Sequence, residues 1–326
     1  MIRILSVLEN VIKPLHPWGL PRNVDIEITN ICQLQCDMCP REGFKDERKI
    51  GKMSMEEFHY VLSELKGIPF LSFSGNGEAT LHPQFMEFFR MAQKSGKRLT
   101  ISTNGLTFTR FSEEELIELV NGFWAIDISI DSPYKEKYET IRKGASFDEL
   151  LRGIRKLVKV KDGGKVVITI HLVYRDQGKK EMEDMIELVN ELGLKKITVG
   201  KLMYYQGSRV KAKKAITAGD IRGLKKLAGK KGIEIVFCFY KNFSLNKRLV
   251  GCNWPWRFIF ISYEEIVTPC VSAKDPTRIN LGNIFEESFR DIWQGERYRE
   301  LRKNIRRGHF PTICQEVKCW YVDRGC

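Results

Sequence analysis

Between Val24 and Leu202 short β-rich runs alternate with longer amphipathic segments, and this alternation restricts the chain more than any other feature of it. Repeated β-α units predict a mainly parallel sheet wrapped by helices, an α/β fold. Six runs read as strands: Val24 to Thr29, Phe70 to Ser74, Leu99 to Thr103, Ala125 to Ile130, Val166 to Val173 and Ile197 to Lys201. Ser54 with Glu57, Ser112 with Glu115 and Ser146 with Glu149 each have the spacing of a capping box at a helix start. Met55, Phe58, Leu62 and Leu65 recur at helical spacing, as do Leu150, Ile154, Leu157 and Val158, and both stripes read as core. Gly96 and Gly193 follow their helices where a left-handed cap belongs.

After Lys201 the pattern changes. Lys-rich, Gly-containing sequence runs to Gly232, a strand-like Ile233 to Tyr240 follows, and the rest is rich in Cys, Trp and Pro. A boundary is expected near residues 205 to 240, giving domains 1–215 and 216–326. The 326 residues are 43% hydrophobic, enough for one large core and a smaller second one. No apolar run approaches the roughly 18 residues of a membrane helix, and Met1 to His16 has no signal-peptide core, so a cytoplasmic protein with no membrane contact is expected.

The net charge of +13 comes from 54 basic and 41 acidic residues. Such an excess permits an anionic substrate, a nucleic acid or an acidic redox partner, although dense charge of both signs also suits a heat-adapted surface. Lys211 to Lys214 and Lys225 to Lys231 lack the aromatic interleaving that stacks bases, which argues against nucleic acid.

Nine cysteines, an odd number in tight clusters, fit a disulfide framework poorly and point to metal. Cys32, Cys36 and Cys39 lie on the loop after the first strand, at the carboxyl end of the sheet where α/β folds place their sites. A closed zinc site wants four protein ligands, and this loop offers no fourth. An iron-sulfur cube on three thiolates leaves one iron open for a ligand.

The spacing Cys-x-x-x-Cys-x-x-Cys resembles that of the radical S-adenosylmethionine (SAM) superfamily. Ser74-Gly75-Asn76-Gly77-Glu78 is similar to the family's Gly-Gly-Glu loop, with Asn76 in place of the middle glycine. Ile101-Ser102-Thr103-Asn104 resembles its ribose-contacting strand end, and Ser129-Ile130-Asp131 with Arg142 and Gly144 resembles its Ser-x-Asp strand and Ile-Arg-x-Gly segment. The resemblance implies a partial (β/α)6 TIM-type barrel. It also implies a 4Fe-4S cluster on Cys32, Cys36 and Cys39, with SAM on its open iron. Glu78 would accept from the SAM ammonium, Ser102 and Asn104 would face the ribose, and Ser129 and Arg142 would face the methionine carboxylate. Met38 stands where many relatives carry an aromatic residue near adenine.

The tail holds Cys252, Cys270, Cys314, Cys319 and Cys326, and two short strands around Ser262 to Glu265 predict a hairpin between the first two. The run resembles a SPASM or twitch domain, a small α+β module that binds auxiliary 4Fe-4S clusters. Five cysteines suit one auxiliary cluster, on Cys252, Cys270, Cys314 and Cys319, with Cys326 able to replace one of the last pair. Cys238, in the apolar run Val236-Phe237-Cys238-Phe239, reads as a buried packing residue.

By this resemblance the chain cleaves SAM to a 5'-deoxyadenosyl radical, abstracts hydrogen from a substrate, and takes electrons from a donor such as a ferredoxin or flavodoxin. An auxiliary cluster favours oxidation or modification over isomerisation, because it can take the electron that an oxidised product must lose. A non-catalytic iron-sulfur or zinc protein that binds nucleic acid through its basic surface is the alternative, and it leaves the ordered loops at Glu78, Asn104 and Arg142 unexplained.

Overall fold

In this computed structural model residues 12–41, 48–161, 165–203, 216–238 and 252–319 are described. The strands are β1 (Asn23–Ile26), β2 (Gln35–Cys36), β3 (Phe70–Phe73), β4 (Arg98–Thr103), β5 (Phe123–Ser129), β6 (Arg142–Lys143), β7 (Val167–Tyr174), β8 (Lys196–Lys201), β9 (Glu234–Phe237), β10 (Phe258–Ile261) and β11 (Val267–Thr268). The α-helices are α1 (Met55–Glu64), α2 (Phe85–Lys94), α3 (Glu113–Gly122), α4 (Lys135–Ile141), α5 (Phe147–Val160), α6 (Lys179–Glu191), α7 (Ala218–Lys230), α8 (Phe289–Gln294), α9 (Glu296–Arg306) and α10 (Thr312–Glu316). The chain divides into two compact units, one of residues 1–31, 43–98 and 242–326, the other of residues 32–42 and 99–241.

In the first unit β1 lies between β3 and β10 and runs parallel to both, with Val24 beside Leu71 on one side and Ile259 on the other. β10 turns back into antiparallel β11, the hairpin expected between Cys252 and Cys270. Ser54 and Glu57 form a complete reciprocal capping box on α1. Phe58 from that helix packs on Phe88 of α2, ring centroids 4.6 Å apart, and on Phe73 of β3 at 6.0 Å. Trp293 and Tyr298 form a second core with Arg302, which is fully buried. The Arg302 guanidinium carbon lies 4.3 Å and 4.6 Å from their ring centroids, and Nη1 donates to Trp293 O at 2.7 Å. Gly295, in an extended conformation, separates α8 from α9.

In the second unit β4, β5, β7, β8 and β9 are parallel in that order. The α/β run therefore continues through Phe237, and α7 is a helix that the Lys- and Gly-rich sequence concealed. Cys238, expected to be buried, is half-buried just past β9. Side chains alternate across a strand. Ile126 and Ile128 of β5 and Ile168, Ile170 and Leu172 of β7 are buried on one face. Asp127, Ser129, Thr169 and His171 occupy the other, with Asp127 paired in register to Thr169 and Ser129 to His171. A strand pair with one polar face leaves that face for solvent or a ligand, not for helix packing.

Candidate functional site

The cysteine loop belongs to the second unit and is braced at both ends. Cys36 of β2 pairs with Arg142 of β6 in a short antiparallel ladder. Gly144, at φ +90°, lets this ladder close, since a Cβ there would stand 3.1 Å from Gln33 O. Arg41 Nη2 donates to Leu34 O at 2.7 Å, and Arg175 Nη1 donates to both oxygens of Asp37 at 2.8 and 2.9 Å. Cys32, Cys36 and Cys39 are all free thiols and half-buried.

Two of these sulfurs face N–H donors. The backbone N–H of Leu34 points at Cys32 Sγ from 3.5 Å and Asn104 Nδ2 from 4.0 Å, while Arg142 Nη1 lies 3.9 Å from Cys36 Sγ. Arg142 Nε donates to Asp131 Oδ2 at 2.7 Å, and Asp131 Oδ1 accepts from Val173 N at 2.8 Å. Arg142 is therefore not a surface ion pair: it is 9% exposed and its partner Asp131 is fully buried. Burial pushes the Cys36 thiol up to about 12, and the Arg142 guanidinium opposes that rise. Met38 is buried with Ile141 and Leu202, and Cys36 packs against that cluster.

Of the other predicted contacts in this unit, Asn104 is buried and exchanges hydrogen bonds with Gln33 of the cysteine loop at 3.3 Å. Ser102 is exposed at the end of β4, and Ser129 is half-buried at the end of β5. On the polar face of β5 and β7, burial raises the Asp127 carboxyl against the opposing influence of His171 and a hydrogen bond from Thr169. Burial lowers the His171 imidazole, with Asp131 and Asp127 working against it. Neither Asp127 nor His171 was singled out from the sequence. The available signal was a charged or imidazole side chain at period two inside apolar strands, as in Ile126-Asp127-Ile128 and Ile170-His171-Leu172.

Glu78 belongs to the first unit. Its backbone N–H donates to Ile31 O at 2.8 Å, its Oε1 accepts from Thr80 Oγ1 at 2.6 Å, and it is 3% exposed. Gly77 makes this approach possible, because a Cβ there would stand 2.3 Å from Thr29 O. The loop from Gly75 to Glu78 is thus laid directly on the chain that leads into the first cysteine.

Also in the first unit, Cys252, Cys270, Cys314 and Cys319 line one small pocket, together with Trp254 and Phe310. Burial pushes Cys252 and Cys314 up to about 12 and Cys270 well above the ordinary thiol range. Buried thiols of this kind lose their protons only to a metal that replaces them. Among the described residues no three His, Cys, Asp or Glu side chains converge on a point that one ion would occupy. Zinc holds each sulfur about 2.3 Å from a single centre, whereas a cube spreads its thiolates over separate corner irons. Both donor sets are all sulfur, which is the chemistry of a 4Fe-4S cluster. Cys326 lies outside the described residues.

Residues 26–189 match the family model of the radical SAM superfamily, and the chain belongs to that superfamily. Residues 252–320 match SPASM, an iron-sulfur cluster-binding domain. The chain is an enzyme of radical SAM type whose cofactors are a 4Fe-4S cluster, SAM and auxiliary iron-sulfur cluster content in its SPASM domain. It is 27% identical to the tungsten-containing aldehyde ferredoxin oxidoreductase cofactor-modifying protein of Pyrococcus furiosus, over 92% of each chain. It is 26% identical to the PqqA peptide cyclase of Bradyrhizobium diazoefficiens, over 98% of this chain and 84% of that one. In structure it is similar to Streptococcus suis SuiB bound to precursor peptide SuiA, with a TM-score of 0.68 and 16% identity over 88% of this chain and 67% of SuiB. That likeness gives the fold: a partial TIM-type barrel followed by a SPASM domain. No helix among the described residues is long and apolar enough to cross a membrane.

Proposed function

We propose that this chain is an oxidoreductase or maturation enzyme that removes hydrogen from a peptide or from the precursor of an organic cofactor. The observation that carries this reading is the braced loop of three free thiols, two of them facing N–H donors. The relatives that modify a cofactor and cyclise a peptide support the substrate class.

Cys32, Cys36 and Cys39 hold the catalytic 4Fe-4S cluster. Cys252, Cys270, Cys314 and Cys319 hold an auxiliary one, with Cys326 as the possible replacement within the last pair. When bound, these groups supply one-electron chemistry: reductive cleavage of SAM to a 5'-deoxyadenosyl radical, and an acceptor for the electron that an oxidised product must lose.

The protein's part is to bind, orient and exclude water. Arg142 Nε is fixed by Asp131, and Nη2 has no partner among the described residues, so it is available to the methionine carboxylate beside Ser129. Glu78, oriented by Thr80, accepts from the SAM ammonium. Ser102 and Asn104 face the ribose. The polar face of β5 and β7 receives the substrate, and His171, whose imidazole burial shifts towards the neutral form, accepts a proton there. A cytoplasmic ferredoxin or flavodoxin supplies the reducing electron.

The test is 5'-deoxyadenosine formation by anaerobically reconstituted, dithionite-reduced protein given SAM, beside a Cys32→Ala/Cys36→Ala/Cys39→Ala control. Nucleoside from the wild type alone is the expected result. Equal formation by the control would overturn the assignment.

A further inference from the structure

Glu27 follows β1 and is 1% exposed. Its Oε1 accepts from Arg48 Nη2 at 2.5 Å, and its Oε2 accepts from the backbone N–H of Asn76 at 2.6 Å. Arg48, itself buried, reaches on to Glu264 in the turn between β10 and β11, with Nη2 donating to Oε2 at 2.5 Å. One carboxylate therefore ties the loop that carries Glu78 to the hairpin that leads into Cys270.

A second tie is more direct. Lys274 Nζ donates to the backbone carbonyl of Gly75 at 2.7 Å, and Asn76 Nδ2 donates to the carbonyl of Lys274 at 3.4 Å. Lys274 ends the single turn Val271–Ala273 that starts from Cys270. Asn76 is 4% exposed and its Oδ1 has no hydrogen-bond partner, so its side chain is kept in this buried position by the bond that Nδ2 makes. A glycine at residue 76 could not make that bond. All of these residues belong to the first unit.

We propose that Asn76 and Lys274 are positioning residues that couple the auxiliary-cluster segment to SAM binding. They hold the Gly75 to Glu78 loop in the place from which Glu78 meets the ammonium group, which rests on Glu78 having that role. An ordered Cys270 to Lys274 segment then favours SAM binding. By linkage, bound SAM must favour the ordered segment by the same factor. The coupling gives the enzyme a means of binding SAM well only when its electron acceptor is in place.

The test uses reconstituted full-length wild type and the Lys274→Met, Lys274→Arg and Asn76→Gly variants. SAM affinity is read from the SAM-induced change in the EPR spectrum of the reduced protein. Iron release to a chelator is followed with and without SAM. Weakening of SAM binding by about tenfold in Lys274→Met and Asn76→Gly is expected, within the usual range of coupling between sites. Iron content should be unchanged and Lys274→Arg should recover most of the loss. SAM should slow iron release in the wild type and not in Lys274→Met. If Lys274→Met loses iron on preparation, Asn76→Gly cuts the same link without altering the auxiliary segment and decides the matter. Unchanged SAM affinity in Asn76→Gly and Lys274→Met, with SAM bound normally by the wild type, overturns the coupling alone. No SAM binding by the wild type overturns the role of Glu78 and the coupling with it.

Discussion

Arg142 holds two partners at once: its Nε donates to Asp131 at 2.7 Å while its Nη1 stands 3.9 Å from the sulfur of Cys36. Burial opposes the charged guanidinium and Asp131 restores it, so the net effect raises the pKa of Arg142. Asp131→Asn removes the compensating charge and leaves a buried cation. It should destabilise the protein by about 3 kcal/mol in thermal or denaturant unfolding. Arg142→Lys keeps the charge without the fork and should weaken SAM binding more than it lowers stability.

Iron content separates the two cysteine sets. Protein prepared without oxygen should carry about eight irons per chain, two cubes. Cys252→Ala/Cys270→Ala should keep about four of them and should still cleave SAM at saturating concentration, while binding it more weakly than the wild type because the segment through Lys274 is no longer ordered by its cluster. Retention of all the iron by this variant would show that the auxiliary site lies elsewhere.

Asp25 gives a pH dependence. On β1, burial raises its carboxyl to about 7 from an ordinary 3.8, although Lys274 and a hydrogen bond from Ser72 oppose the rise. The folded state therefore favours the protonated acid. Stability from this residue is fully present below the unfolded value and is lost as pH rises through about 7. Asp25→Asn should flatten this decline and melt higher than the wild type on the alkaline side, which melting temperatures across a pH series would show.

Arg302 is fully buried, and the carbonyls of Pro255, Leu15 and Trp293 accept from it. Arg302→Ala removes these bonds and the cation–π contacts and leaves a void. A loss of about 3 kcal/mol in unfolding free energy is expected. Arg302→Met, which refills the space without the charge, should recover part of it.

Much of the fold was legible because periodicity and capping are local. The six expected strands are present, and Gly96 and Gly193 adopt φ +74° and +70° after α2 and α6. Ser54 and Ser112 form reciprocal boxes, but Ser146 makes only half of one. Its partner Glu149 accepts from Thr109 Oγ1 at 3.0 Å, and Glu139 takes the N–H of Phe147. Such competition between acceptors is tertiary and leaves no trace in spacing. Helix α7 escaped notice because Gly219, Gly223 and Gly229 dilute a stripe of Ile221, Leu224 and Ala228. At the site, the cysteines and Glu78 are marked by motifs. Glu27, Arg48 and Lys274 are not, since they act through partners up to 216 residues away in the chain.

The pairing of β1 with β10 has a bearing on how the protein is made. Asn23 meets Phe258 across a parallel ladder, so one side of β1 stays open until the last quarter of the chain has left the ribosome. At about 5–20 residues per second, that interval is roughly 10 to 50 seconds. Over the same interval Glu27 has no Glu264 to share Arg48 with, and the Glu78 loop lacks both of its ties. A nascent chain could collect iron on Cys32, Cys36 and Cys39 well before it could hold SAM firmly, and a defect at Glu264 or Lys274 would be felt at the Glu78 loop almost two hundred residues earlier.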